Sequence, residues 1–220
     1  MPQWKGAQRR QLSDEVAAYL RQSIMAGEMK PGTSVRAEAI GETLSVSATP
    51  VREALHALRA EGFLDLVPRK GFTVAPLVAA DIRDIFVAHA LIAGELVARA
   101  ADNIGEEDLV DVRQIHEALM DAAERSDHEE LERRNHEFHR RLYLAAGSER
   151  LLWALSGFVK YVPSAFYAQI EGWPQTTAAD HTAIIEAIEA HDSERARTAM
   201  AQHIRNAGEK LAEYVDGRQD

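Results

Sequence analysis

The stretch Glu38-Ala39-Ile40-Gly41-Glu42-Thr43-Leu44-Ser45-Val46-Ser47-Ala48-Thr49-Pro50-Val51-Arg52-Glu53-Ala54-Leu55 reads as two helices and the turn between them. Residues 38–44 form a short amphipathic segment, and Ser45-Val46-Ser47 interrupts it. Thr49-Pro50 marks a new start, because Thr caps a helix N-terminus well and Pro suits the first helical position. A helix from Pro50 turns Val51, Ala54, Leu55 and Leu58 to one side and closes at Glu61-Gly62. Upstream, Leu12, Val16, Tyr19, Leu20 and Ile24 follow the helical period until Gly27 and Lys30-Pro31-Gly32 end it. Downstream, residues 63–67 and 72–75 read as two short strands joined by the turn Pro68-Arg69-Lys70-Gly71. The expectation is a winged helix-turn-helix over 11–76 with a two-stranded wing, preceded by a flexible tail over 1–10.

That order has a physical use, since a helix can lie in the major groove while its neighbours grip phosphate. The helix starting at Pro50 would point free backbone N–H groups and a positive dipole end at DNA, with Arg52 in the same turn and the hydroxyls of Ser47 and Thr49 beside it. Arg69, Lys70 and Gly71 would form a basic wing tip, and Arg36 stands just before the second helix. Taken singly, Arg52 is equally an ion-pair partner, Thr49 a cap and Arg69-Lys70 a solvated turn. In this order and spacing they favour double-stranded DNA. The formal net charge of −10 does not oppose this, because residues 1–76 carry 10 Lys/Arg against 8 Asp/Glu, and the remainder 15 against 27.

Residues 39–55, with Leu58, Glu61-Gly62-Phe63 and Pro68-Arg69-Lys70-Gly71-Phe72, resemble the winged-helix domain of GntR-type regulators. The resemblance implies that Arg52 and the wing tip contact DNA. The family usually has a DNA-contacting Arg where this chain has Ala48; Arg36 is a candidate substitute for it and equally an exposed helix-start residue.

Beyond Pro76 strand signals vanish, and helices are expected at about 78–102, 106–125, 128–146, 149–170 with an interruption near Pro163, 175–190 and 193–215. The fold class is therefore mostly α, a winged helix followed by an all-α bundle over 77–217. The acid-rich runs at 105–108 and 127–132 read as helix starts, where carboxylates suit the dipole. Trp153, Phe158, Tyr161, Phe166, Tyr167 and Trp173 are expected in the core or lining the bundle.

The chain has 9 His and no Cys, so imidazole and carboxylate are the available metal ligands. Asn135 and His139 share one helical face, while His181 and His203 come from the last two helices. Two readings stand: a metal held on the bundle axis, or individually satisfied histidines. His89, His116 and His136 read either as cavity residues or, in preference, as surface or boundary side chains. Asn135-His136-Glu137-Phe138-His139, His181 through Ile188, and Met200-Ala201-Gln202-His203 resemble the FadR-like FCD sensor domain. The resemblance implies a divalent metal, zinc or nickel, on Asn135, His139, His181 and His203, beside a small carboxylate effector. Asn135 stands where Asp is common, so the site is weaker or is completed by an anionic effector. Glu95 matches a family Glu, but Leu91 stands where an Arg usually faces the cavity. Glu95, Leu91 and Tyr143 are the candidate effector contacts.

An enzyme is disfavoured. His136 and His139 are three apart, whereas a zinc-protease helix needs four, and no phosphate loop or nucleophile elbow occurs. No apolar run reaches the ~20 residues of a membrane span and no signal-peptide core appears, so a cytoplasmic location is expected. The reading is a homodimeric repressor on an inverted repeat whose operator affinity a metabolite changes by shifting the two winged helices. The alternative is a dimer whose second domain is only structural.

Overall fold

In a computed structural model, which describes residues 6–161 and 173–217, the chain divides into two units, 1–77 and 78–220. The first contains α1 (Gly6–Met25), β1 (Ser34–Val35), α2 (Ala37–Leu44), α3 (Ala48–Ala60), β2 (Leu64–Val67) and β3 (Gly71–Val74). Val16, Leu20 and Ile24 of α1 and Val51, Leu55 and Leu58 of α3 are buried, as their helical period requires. Arg21 binds Glu61 across 2.6 Å, fastening α1 to the end of α3.

Three boundaries differ from expectation. First, α1 begins at Gly6, so residues 6–10 of the expected tail are helical, while 1–5 lie outside the described residues. Second, α3 begins at Ala48 with Ser47 as its N-cap, not at Pro50 with Thr49 as cap. Proline is tolerated throughout the first turn because none of those N–H groups has an intrahelical partner. Third, the sheet has three antiparallel strands in the order β1-β3-β2, not two. Ser34 and Val35 pair with Thr73 and Phe72, covering the outer edge of β3, while Leu64 through Val67 pair with Val74 through Gly71.

The second unit contains α4 (Ala79–Asn103), α5 (Glu106–Glu124), α6 (His128–Ala145), α7 (Glu149–Val159), α8 (Trp173–Glu189) and α9 (Ser193–Asp216). The acidic starts behave as read: Asp127 accepts from Glu130 N–H at 3.2 Å, and Glu106, Glu107 and Asp108 occupy the first turn of α5, while Asp192 also accepts from Arg195 N–H at 3.0 Å. The expected helix over 149–170 ends at Val159, and Pro163 with the rest of 162–172 lies outside the described residues. Two glycines let α4 and α9 approach closely. A Cβ on Gly94 would stand 2.9 Å from the Arg197 carbonyl oxygen, and one on Gly208 would stand 2.5 Å from Phe86 Cβ. Around this pair, Ile82, Phe86 and Leu96 of α4, Leu119 of α5, Phe138 and Leu142 of α6, and Ile184 of α8 fill the core. Histidines on inward faces of α4, α6, α8 and α9 are thereby directed into the bundle.

Candidate DNA-reading surface and histidine cavity

In the first unit, α3 carries its apolar face inward and leaves Thr49, Arg52 and Glu53 exposed. Ser47 caps α3 by position, without a side-chain cap bond. Arg36 is the exposed N-cap of α2. Pro50 is buried, so its ring shapes the helix start against the core and does not offer a DNA contact. Arg52 Nη2 binds Glu38 Oε1 at 2.5 Å, with both side chains more than half exposed. Glu38's own backbone N–H and the Arg52 guanidinium hold that carboxyl below the usual carboxylate range. An exposed pair of this kind is weak and can be exchanged for another anion. At the wing, Arg69 and Gly71 both have positive φ, 65° and 80°, and Arg69, Lys70 and Gly71 are exposed. His56 on α3 meets Phe72 of β3 edge-on at 5.1 Å, tying helix to wing.

In the second unit, a cavity of about 390 Å³ is lined by residues of α4, α6, α7, α8 and α9, among them Phe86, His89, Asn135, His139, Tyr143 and His203. One ligand nitrogen each from His139, His181 and His203 lies within 4.8 Å of the others. A hydrogen bond assigns the tautomer of one of them. His203 Nδ1 donates to Asp180 Oδ2 across 3.1 Å, leaving the lone pair on Nε2. The Tyr143 hydroxyl lies 3.8 Å from Met200 Sδ, an acceptor, and 3.4 Å from His139 Nδ1. His203 Nε2 and His139 Nε2 face each other across 3.2 Å, and with His139 as the Nδ1–H tautomer both would turn a lone pair toward a cation between them. A tetrahedral zinc with bonds of ~2.0–2.1 Å keeps its ligand nitrogens about 3.3 Å apart. His181 is fully buried with both ring nitrogens unpartnered, and Asn135 Oδ1 is buried and unpartnered as well. The donor set thus fits a divalent ion, and His139, His181, His203 and Asn135 are the residues that would hold it.

Electrostatics agree. Burial, reinforced by His203, pushes His139 and His181 well below the ordinary imidazole range, so both rings are neutral at neutral pH. Burial, then His203, pushes His89 down to about 4. Burial alone would raise Asp180, but hydrogen bonds from His203 and Asn206 outweigh it and leave that carboxyl low. Burial raises the Tyr143 phenol, which stays protonated.

Other expected site residues fall elsewhere. Leu91 is 63% exposed, because the fully buried Ala90 and Ala93 set the inward face of α4 and rotate Leu91 outward. Glu95 is on the same outer stripe and is held by Arg197 and, at 2.7 Å, by Arg99. Neither lines the cavity. Trp153 is 75% exposed, not a lining residue, whereas Trp173 is buried and lines the cavity; Phe166 and Tyr167 lie outside the described residues. His89, for which the sequence favours a surface or boundary place over the cavity, is buried in the cavity wall with both nitrogens unpartnered. Its place in the run Ile82, Phe86, His89, Ala93 is the periodic signal that marks it as inward. His116 packs behind the site against Phe138 and His181, and His136 is at the exposed rim. Asp180 and Arg140 were not singled out from sequence. The contact of Asp180 with His203 crosses helices, and no local pattern announces it.

Comparison with known proteins agrees with both units. Residues 12–74 match the model of the bacterial regulatory proteins of the gntR family, and residues 84–206 match the FCD domain. The chain is 29% identical to a probable D-xylose utilization operon transcriptional repressor of Paenarthrobacter nicotinovorans, over 88% of this chain and 85% of that one. It is 28% identical to the HTH-type transcriptional repressor GlaR of Escherichia coli, over 84% and 89%. Among solved structures, E. coli McbR/YncC superposes with a TM-score of 0.71 at 25% identity, covering 92% of this chain and 98% of that one. The families are regulators of transcription, not enzymes, and the chain belongs to the GntR family of DNA-binding transcriptional regulators, in the branch that carries an FCD domain.

Proposed function

We propose that the protein is a homodimeric repressor whose operator affinity is set by a small carboxylate bound at a divalent metal in the FCD cavity. The observation that carries this reading is the convergence of His139, His181 and His203 within 4.8 Å, with both nitrogens of His181 and the Oδ1 of Asn135 buried and unpartnered. The ion, when bound, supplies a Lewis-acidic anchor for one carboxylate. Asp180 fixes the His203 tautomer, Tyr143 orients His139, and the buried walls exclude water. Asn135 brings a neutral oxygen where a charged one is common, which makes an anionic ligand the natural complement to the ion's charge.

In the DNA-binding unit, Arg52 exchanges Glu38 for DNA, and Ser47, Thr49, Arg36 and the tip Arg69-Lys70-Gly71 hold phosphate. A twofold dimer reads an inverted repeat. Repression is the sense supported by two relatives, each named a transcriptional repressor. The test is operator affinity of the zinc-loaded chain, measured by fluorescence anisotropy with and without a panel of carboxylic acids. At least one acid should weaken binding, and His139→Ala/His203→Ala protein should bind operator but not respond. Identical responses in both proteins would contradict the reading.

A further inference from the structure

The cavity wall divides by chemistry according to the helix that supplies it. Among the described residues its polar groups come from α4 and α6, as His89, Asn135, His136, His139, Arg140 and Tyr143, and from α9 as His203. The contributions of α7 and of the start of α8 are carbon surfaces, Leu152 and Val159 from one face of α7 and the ring of Trp173. Phe86, Ile204 and Ala207 extend that surface on α4 and α9. A ligand filling about 390 Å³ here meets mostly carbon.

Charge is scarce on the same wall. A desolvated carboxylate needs a cation or several donors, and an unpaired one is costly. The proposed ion serves one. Among the described lining residues the remaining fixed cation is Arg140, which is exposed and also lines a groove between α5 and α6 that contains Asp111 and Glu137. His89, with burial holding it neutral down to about pH 4, offers a neutral donor and acceptor and no charge. Leu91 and Glu95 lie off the cavity, so no second anion clamp comes from the outer stripe of α4.

We infer that the cavity selects a monocarboxylate with an aromatic or branched apolar body over dicarboxylates and small hydroxy acids. This rests on the reading of the cavity as an effector site, and it specifies which acids that site takes. The carboxylate lies toward His139, His203 and Asn135, and the apolar body lies against Phe86, Leu152, Val159 and Trp173.

The test is isothermal titration of the zinc-loaded full chain with 3-phenylpropionate, succinate and lactate under one set of conditions. The expected result is a Kd for 3-phenylpropionate at least about tenfold below those of the other two, with a negative heat-capacity change from apolar burial. Leu152→Asn, at a half-buried position of α7, should weaken 3-phenylpropionate about tenfold and leave the ranking of succinate and lactate unchanged. Succinate or lactate binding as tightly as 3-phenylpropionate would overturn this inference and leave the effector site standing. Absence of binding by all three acids would overturn both.

Discussion

Asp180 Oδ2 lies 3.1 Å from His203 Nδ1, and Asn206 Nδ2 donates to the same oxygen at 3.1 Å, so a carboxylate of α8 is fixed onto a histidine of α9. The negative charge that Asn135 lacks is thereby present one bond further out, behind a ligand. Outer carboxylates of this kind set the histidine tautomer and raise ligand basicity. Asp180→Asn should lower zinc affinity about 10- to 100-fold, and Asn135→Asp should raise it, both read by competition with a chromogenic chelator. Unchanged affinity in folded Asp180→Asn protein would show that the contact is only structural.

The buried histidines give the metal-free protein an acid limit. Folded His89 has a depressed pKa of about 4 against an ordinary value near 6.5, so between these the unfolded chain binds more protons than the folded one. Stability is therefore full above about pH 6.5 and is lost as pH falls toward about 4, by on the order of 3 kcal/mol from His89 alone. His139 and His181 shift in the same direction and steepen the loss. Urea denaturation of the apo protein across this range should show it, and His89→Phe should flatten the slope. A flat profile in the unsubstituted protein would contradict the burial of neutral imidazoles.

On the DNA side, Arg52→Ala should weaken operator binding by about 1–3 kcal/mol if it reads a base, with an unchanged melting profile because the Glu38 pair it breaks is exposed. Glu38→Gln removes the competing anion and should tighten binding modestly. Electrophoretic mobility shifts check both, and full affinity in Arg52→Ala would exclude α3 as the reading helix.

Gly208→Ala should cost about 1–3 kcal/mol by overpacking, because its Cβ would fall 2.5 Å from Phe86 Cβ in the close contact of α4 with α9. Since Phe86 lines the cavity, ligand affinity should fall with stability in this variant. Retained stability by urea denaturation would mean that the two helices separate at little cost.

Features with a local cause were legible in the sequence. The inward faces of α1 and α3 and the acidic start of α6 at Asp127 follow from period and cap chemistry, and the convergence of His139, His181 and His203 from the resemblance to the FCD domain. Features that depend on a partner elsewhere in the chain were not. The strand Ser34–Val35 is two residues long and exists through its pairing with β3. The outward turn of Leu91 follows from which neighbours α4 packs against, and Asp180 is recognisable only from its distance to His203. The start of α3 was misplaced because Thr49-Pro50 satisfies cap statistics while Ser47 supplies the extended backbone that begins the helix.

The central claim is that His139, His181 and His203 hold a divalent ion. Elemental mass spectrometry of protein purified without an affinity tag and dialysed against zinc tests it most directly. A stoichiometric ion is expected in the unsubstituted chain and none in folded His181→Ala/His203→Ala protein. Equal metal content in the two proteins, or none in the unsubstituted chain, would contradict it.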